Sequence, residues 1–201
     1  MRIVYIANAR LPTEKAHGFQ IVKMCEAYAG LGADVELLHP YRFQHDEDLR
    51  VRSVFDYYGV EPSFSVKVLP NLDVLRLERF LPRILFGPLY YAHAILWART
   101  AAAAARGRRA DLYHTRSEHI AFWLTRMGLS TVYEVHSVPR QVGRRFLSDT
   151  AKRNSLTLAV ALTSPLMSRL TDMGFSEDSL EVLPDGVDLA AFKARPGRDE
   201  C

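Results

Sequence analysis

Residues 2–38 read RIVYIANARLPTEKAHGFQIVKMCEAYAGLGADVELL. After its first residue the run Arg2–Ala7 is apolar without a break, as in a strand buried on both faces of a parallel sheet. A loop from Asn8 to Gly18 follows and carries Arg10, Pro12, Lys15 and His17. Ile21, Met24, Cys25, Tyr28 and Leu31 then recur at helical spacing, with Gly32 at the stop, and Val35–Leu38 is apolar again. Strand, loop, helix and strand within about 40 residues make a βαβ unit, whose crossover is expected to be right-handed.

The alternation continues down the chain. Asp46, Glu47 and Asp48 suit a helix start, Val51, Val54, Phe55 and Tyr58 give that helix one apolar face, and Gly59 ends it. Phe64–Leu69 alternates like a strand with one wetter face. Pro82 and Pro88 break the region before a long helix from about Leu89 to Arg106, whose alanine run Ala101–Ala105 favours helix. Arg106, Arg108 and Arg109 complement its C-terminus rather than forming a binding patch. Further strands are expected at Asp111–Thr115, Thr131–Val135, Leu156–Leu162 and Leu180–Leu183. Helices are expected at Glu118–Met127, at Arg140–Lys152, and after Ser164 as N-cap with Pro165 at the first helical position. The sum is a doubly wound, mostly parallel α/β sheet of about seven strands. Residues 1–183 form one domain, and 184–201, starting at the Pro184-Asp185-Gly186 turn, read as a linker.

Composition narrows the function classes. With 26 basic and 23 acidic residues the net charge is only +3, too balanced for a nucleic-acid footprint. The two cysteines, Cys25 and Cys201, make no disulfide framework, so a reducing, cytoplasmic setting fits. The N-terminal apolar run is too short for a signal peptide, and none reaches the roughly 18 residues of a membrane span. Peripheral contact with the inner face of a membrane stays open.

In open parallel sheets, ligands bind beyond the C-terminal ends of the strands. Three groups fall there. Gly18, with His17 beside it, sits where a helix N-terminus could take a donor phosphate or sugar, although a glycine that merely starts a helix reads the same way. His136, at the end of the fifth strand, could bond a substrate hydroxyl or a developing charge, with a purely structural role as the alternative. Ser137 follows it, and Arg140 and Arg144 share a helix face suited to an anion, or to plain solvation. No GxGxxG, P-loop, GxSxG, HExxH or zinc spacing occurs, and the two histidines within Asp111–His119 lack a dedicated ligand set, so no metal is expected.

Several segments in this order resemble the N-terminal domain of a GT-B glycosyltransferase of the retaining, GT4-like group. They are Ile3–Ile6 with the Gly18 loop, Gly32–Leu38, Tyr133-Glu134-Val135-His136, Leu162-Thr163-Ser164, and Leu183–Asp188 with Phe192; Tyr57–Val60 leading to Phe64 is similar to one subgroup. The resemblance implies transfer of a hexose from a nucleotide diphosphate-sugar to a carbohydrate or lipid-linked acceptor, without a cofactor. It implies contact of Gly18 with the donor diphosphate or sugar, contact of His136 with the transferred sugar, and an interdomain hinge beginning at Asp185 and Gly186. The nucleotide would be held mostly by a C-terminal domain carrying a Glu-x7-Glu motif. No two glutamates here are eight apart; by the resemblance that motif would lie on a missing domain or a partner subunit, and the chain alone is expected to be inactive. His17-Gly18 replaces the paired glycines of many relatives. Two other readings remain: a non-catalytic module that binds carbohydrate or phosphate or pairs with another chain, and a Rossmann enzyme of another type.

Overall fold

The computed structural model describes residues 1–44, 46–139 and 141–186, with backbone only for Gln141 and Val142. Seven strands, β1 (Arg2–Ile6), β2 (Asp34–Pro40), β3 (Ser65–Leu69), β4 (Leu112–Thr115), β5 (Thr131–Val135), β6 (Leu156–Ala161) and β7 (Leu180–Val182), form one sheet in the order β3-β2-β1-β4-β5-β6-β7. Every pairing is parallel. The expected α/β class and strand number are therefore what the chain adopts.

Alternate residues of the central strand feed opposite layers, as the two-residue period of a strand requires. Ile3 and Tyr5 pack with Val22 and Cys25 of helix α1 (Ala16–Gly30). Val4 and Ile6 pack with Trp97, Ala101 and Ala105 of α4 (Arg83–Arg106) and with Ile120 and Leu124 of α5 (Glu118–Arg126). Farther along the sheet, Tyr133 and Val135 join Leu147 of α6 (Gln141–Ala151) and Leu166 and Leu170 of α7 (Ser164–Thr171). Glu134, between Tyr133 and Val135, therefore points to the α1 layer.

Local expectations fail where an end effect competes with periodicity. Leu31 is exposed, because α1 has already stopped at Gly30 and Gly32 adopts φ of +85°. The single helix expected through Val51–Tyr58 is two, α2 (Glu47–Val51) and α3 (Val54–Tyr58). Ser53 splits them: its hydroxyl caps α3 by accepting from the Asp56 N–H, and Val51 is left outside the core. The long helix starts at Arg83 and runs through Pro88, which removes one backbone bond but is outweighed by the buried Trp97–Ala105 half. The N-cap of α7 is Thr163, whose hydroxyl accepts from the Leu166 N–H, and Ser164 is already helical. β3 is an edge strand more exposed than its alternation implies, with Val68 facing solvent. Arg108 bonds Glu36 and the Ala104 carbonyl, the structural role expected of that arginine cluster. No described helix is long and apolar enough to cross a membrane.

Candidate functional site

A charged cluster forms where α1 meets the C-terminal ends of β4 and β5. Glu134, on an otherwise apolar strand, is 6% exposed. A carboxylate at that depth needs compensation, and three cations or potential cations supply it. His136, just beyond β5, places Nε2 at 2.6 Å from Glu134 Oε1. Arg116, just beyond β4, places Nε at 3.3 Å from the same oxygen. His114, on β4, holds Nε2 at 3.4 Å from Oε2, an attraction through space rather than an aligned hydrogen bond. Burial alone would raise the Glu134 pKa. The contacts from His114, His136 and Arg116 outweigh it and hold the carboxyl well below the usual carboxylate range.

The cluster fixes its own proton positions. Arg116 can only donate, so its Nη2, 2.7 Å from His136 Nδ1, makes that nitrogen an acceptor. His136 Nε2 then carries the proton and donates to Glu134. Arg116 Nη2 also donates to Gln20 Oε1 on α1, at 3.0 Å, tying the helix to the cluster. One layer deeper, Tyr28 O–H lies 2.9 Å from His114 Nδ1. Burial, aided by Glu134, pushes that phenol up to about 12, so it stays a donor and leaves His114 Nε2–H for the carboxylate. Glu134, His136 and Asp185 bring possible ligand atoms within 4.8 Å of one another. With Nε2 protonated and Nδ1 occupied by Arg116, His136 offers no lone pair, so this arrangement does not fit a metal ion.

Two cavities flank α1. One of about 350 Å³ is lined by Phe19, Gln20, Lys23, Glu134, Asp185 and Gly186, so the residues expected to start a hinge border the space beside the buried carboxylate. Asp185 and Gly186 are themselves exposed and outside any strand. The second, about 540 Å³, lies at the ends of β1 and β2 and includes Arg10, Lys15, His17, Arg42 and Arg76. His17 is exposed there. Partial burial, then the neighbouring Lys15 and Arg116 charges, lower its pKa.

The remaining sequence candidates scatter. Gly18 is buried in the first turn of α1, and its N–H donates to the Lys15 carbonyl. A Cβ built there would lie 2.2 Å from Tyr58 Oη and 2.5 Å from Thr13 Cγ2, so packing alone demands glycine. Ser137 is exposed beside His136. Arg144 is exposed and lines a separate hollow with Arg145, Ser148, Asp149 and Lys152. Arg140 and Val187–Phe192 lie outside the described residues. Sequence reasoning passed over Glu134, Arg116 and Gln20. The available signal was a glutamate inside a strand that is otherwise apolar, a residue rarely buried unless paired.

No protein-family model and no curated protein matches the sequence. Solved structures do. Anabaena Alr3699/HepE in complex with UDP and glucose aligns with TM-score 0.54 at 14% identity, covering 94% of this chain and 46% of that one. A glycosyltransferase from Rickettsia africae ESF-5 aligns with TM-score 0.57 at 15% identity, covering 99% and 47%. A putative UDP-N-acetylglucosamine 2-epimerase from Listeria monocytogenes aligns with TM-score 0.51 at 12% identity, covering 90% and 44%. Such identities speak for fold alone. The chain has the Rossmann-like fold of a GT-B domain and spans about half the length of the solved proteins it is similar to.

Proposed function

We propose that this chain is the acceptor-side domain of a GT-B glycosyltransferase that moves a hexose from a nucleotide diphosphate-sugar to a carbohydrate or lipid-linked acceptor. The GT4-like, retaining course belongs to the same proposal, as do 1–183 as the domain and 184–201 as the linker to a donor-binding half. Its setting is the cytoplasm, at the inner face of a membrane.

One observation carries the reading: the Arg116–His136–Glu134 cluster borders a cavity that also reaches Asp185-Gly186, at the strand ends where open α/β sheets bind ligands. Gln20 and Arg116 supply donors for a sugar hydroxyl, and Glu134 supplies a buried acceptor. Gly18, His17, Ser137, Arg140 and Arg144 remain expected contacts within this proposal. No cofactor or metal is needed, because leaving-group stabilisation would come from positioned donors on the other half. The neighbours that carry UDP or UDP-glucose lend support to a nucleotide-sugar donor.

A second reading has its own observation. Both nitrogens of His136 are engaged by protein groups, which suits a rigid sugar-binding wall more than proton transfer. This favours a non-catalytic carbohydrate module as the alternative.

The test is turnover. The 1–201 chain alone is expected to leave a panel of nucleotide-sugars intact. Turnover that disappears with His136→Ala would overturn the half-site reading. If the coding sequence continues past Cys201 into a second Rossmann-like domain with Glu-x7-Glu, the two-domain protein should transfer sugar. Its product anomer, read by NMR, should match the donor, and an inverted product rejects the retaining course.

A further inference from the structure

The geometry points to the shoulder formed by residues 72–89 as a surface that docks on an anionic lipid bilayer. The inference rests on the peripheral placement proposed above and supplies the surface for it. It begins with α4, whose buried residues are Trp97, Ala98, Ala101, Ala102 and Ala105. All lie in its C-terminal half. The N-terminal half has no buried residue, yet Ile84–Ala98 contains no Asp, Glu, Lys or Arg. A helix apolar all round is normally enclosed by protein or lipid. This one is not enclosed here, and its uncharged stretch is too short to span.

The exposed apolar residues are contiguous with it. Leu72 is 76% exposed, Phe80 68%, Ile84 80% and Leu85 59%. They extend the short 3-10 turn Val74–Leu77 into the start of α4, at the outer end of the edge strand β3. Single exposed apolar side chains are ordinary on a protein surface, but a patch of this kind marks an interaction site.

The charge around the patch selects the occupant. Within the shoulder the chain carries Arg76, Arg79 and Arg83 against Asp73 and Glu78. The Arg79 guanidinium lies over the Phe80 ring at 4.6 Å, and Arg76 lies over Phe43 at 5.1 Å. Arginine heads beside exposed aromatic and aliphatic side chains are what an interfacial segment presents to phosphate headgroups. A hollow of about 330 Å³ lined by Leu75, Arg76, Glu78 and Arg79 sits in the patch. Leu75, Arg76 and Glu78 also line the larger basic cavity with Arg10, Lys15 and Arg42, so the lipid-facing shoulder runs into the flank of the candidate site. That continuity lets a lipid-anchored molecule reach the site without leaving the membrane surface.

Vesicle flotation tests this with the 1–201 chain. It should float with vesicles of equal parts phosphatidylcholine and phosphatidylglycerol, and far less with phosphatidylcholine alone. Phe80→Ser with Ile84→Ser should cut partitioning about a hundredfold, since burying each such side chain is worth about tenfold or more. Arg79→Gln with Arg83→Gln should weaken it about tenfold and flatten its salt dependence. These side chains are exposed, so circular-dichroism melts should match the parent. If the apolar pair misfolds, Ile84→Trp reads the same contact by a blue shift of its emission on anionic vesicles. No flotation, unchanged flotation of both variants, or a stable dimer that the serine pair dissociates would each overturn the proposal. Flotation without turnover by the two-domain protein rejects the transferase reading alone; turnover without flotation rejects the docking surface alone.

Discussion

Gly18→Ala separates a packing glycine from a ligand-contacting one. The new Cβ would sit 2.2 Å from Tyr58 Oη and 2.5 Å from Thr13 Cγ2. Tyr58 cannot step aside cheaply, because its hydroxyl accepts from the Thr13 N–H at 2.9 Å and donates to the Thr13 carbonyl at 3.0 Å. Overpacking of this kind costs about 1–3 kcal/mol. Disturbing two buried hydrogen bonds costs about 1 kcal/mol each. Alanine's better helix propensity returns about 1 kcal/mol. The net expectation is a destabilisation of about 2–4 kcal/mol in urea titration, or a fall in Tm of about 4–16 °C for a chain of this size. Tyr58→Phe removes the closer of the two clashes and both hydrogen bonds, so in that background Gly18→Ala should cost about 2 kcal/mol less. A Gly18→Ala protein as stable as its parent, but weaker in binding a phosphate-bearing ligand, would refute the packing account.

Other perturbations probe the cluster and its surroundings. Because Glu134 has a depressed pKa in the folded protein, its contribution is full at neutral pH. That contribution is lost as pH falls below the ordinary value of 4.5 toward the folded one. Glu134→Gln should therefore shallow the acid limb of the stability profile. Glu134→Ala should cost about 3 kcal/mol at neutral pH by stranding Arg116. An unaltered acid limb in Glu134→Gln would count against the account. Cys25 is fully buried, and burial pushes its thiol far up. In a Cys201→Ser background it should resist a thiol reagent until urea unfolds the chain, and prompt native labelling would contradict this. His17 should titrate in NMR below its ordinary 6.5, and Lys15→Gln should raise the midpoint; a midpoint at or above 6.5 would contradict both.

The sheet was legible because most strands are short, largely apolar runs and proline closes β2, β3 and β7, so period and punctuation agreed there. They parted at Leu31, just past the end of α1, and at Val51, the last residue of α2, where apolar residues at helical spacing stay exposed. Pro88 misled for the opposite reason: tertiary burial of Trp97 and the alanines carries the helix through it. His136 stood out alone as a strand-end histidine. Its partners did not, because Gln20, Arg116 and Glu134 come from α1, the end of β4 and β5, and only the β1-β4-β5 adjacency brings them together. Gly18 shows the converse, since the residue that makes it necessary, Tyr58, belongs to another helix.

The strand order has a consequence for synthesis. β1 leaves the ribosome first, yet one of its two neighbours is β4, and Thr115 reaches the Ile6 carbonyl from 109 residues away. At about 5–20 residues per second, this strand waits about 5–20 s for that flank. Until then one open edge of the β1–β2 pair is a template for any extended chain nearby. A nascent chain arrested between β2 and β4 should be the species most in need of a chaperone.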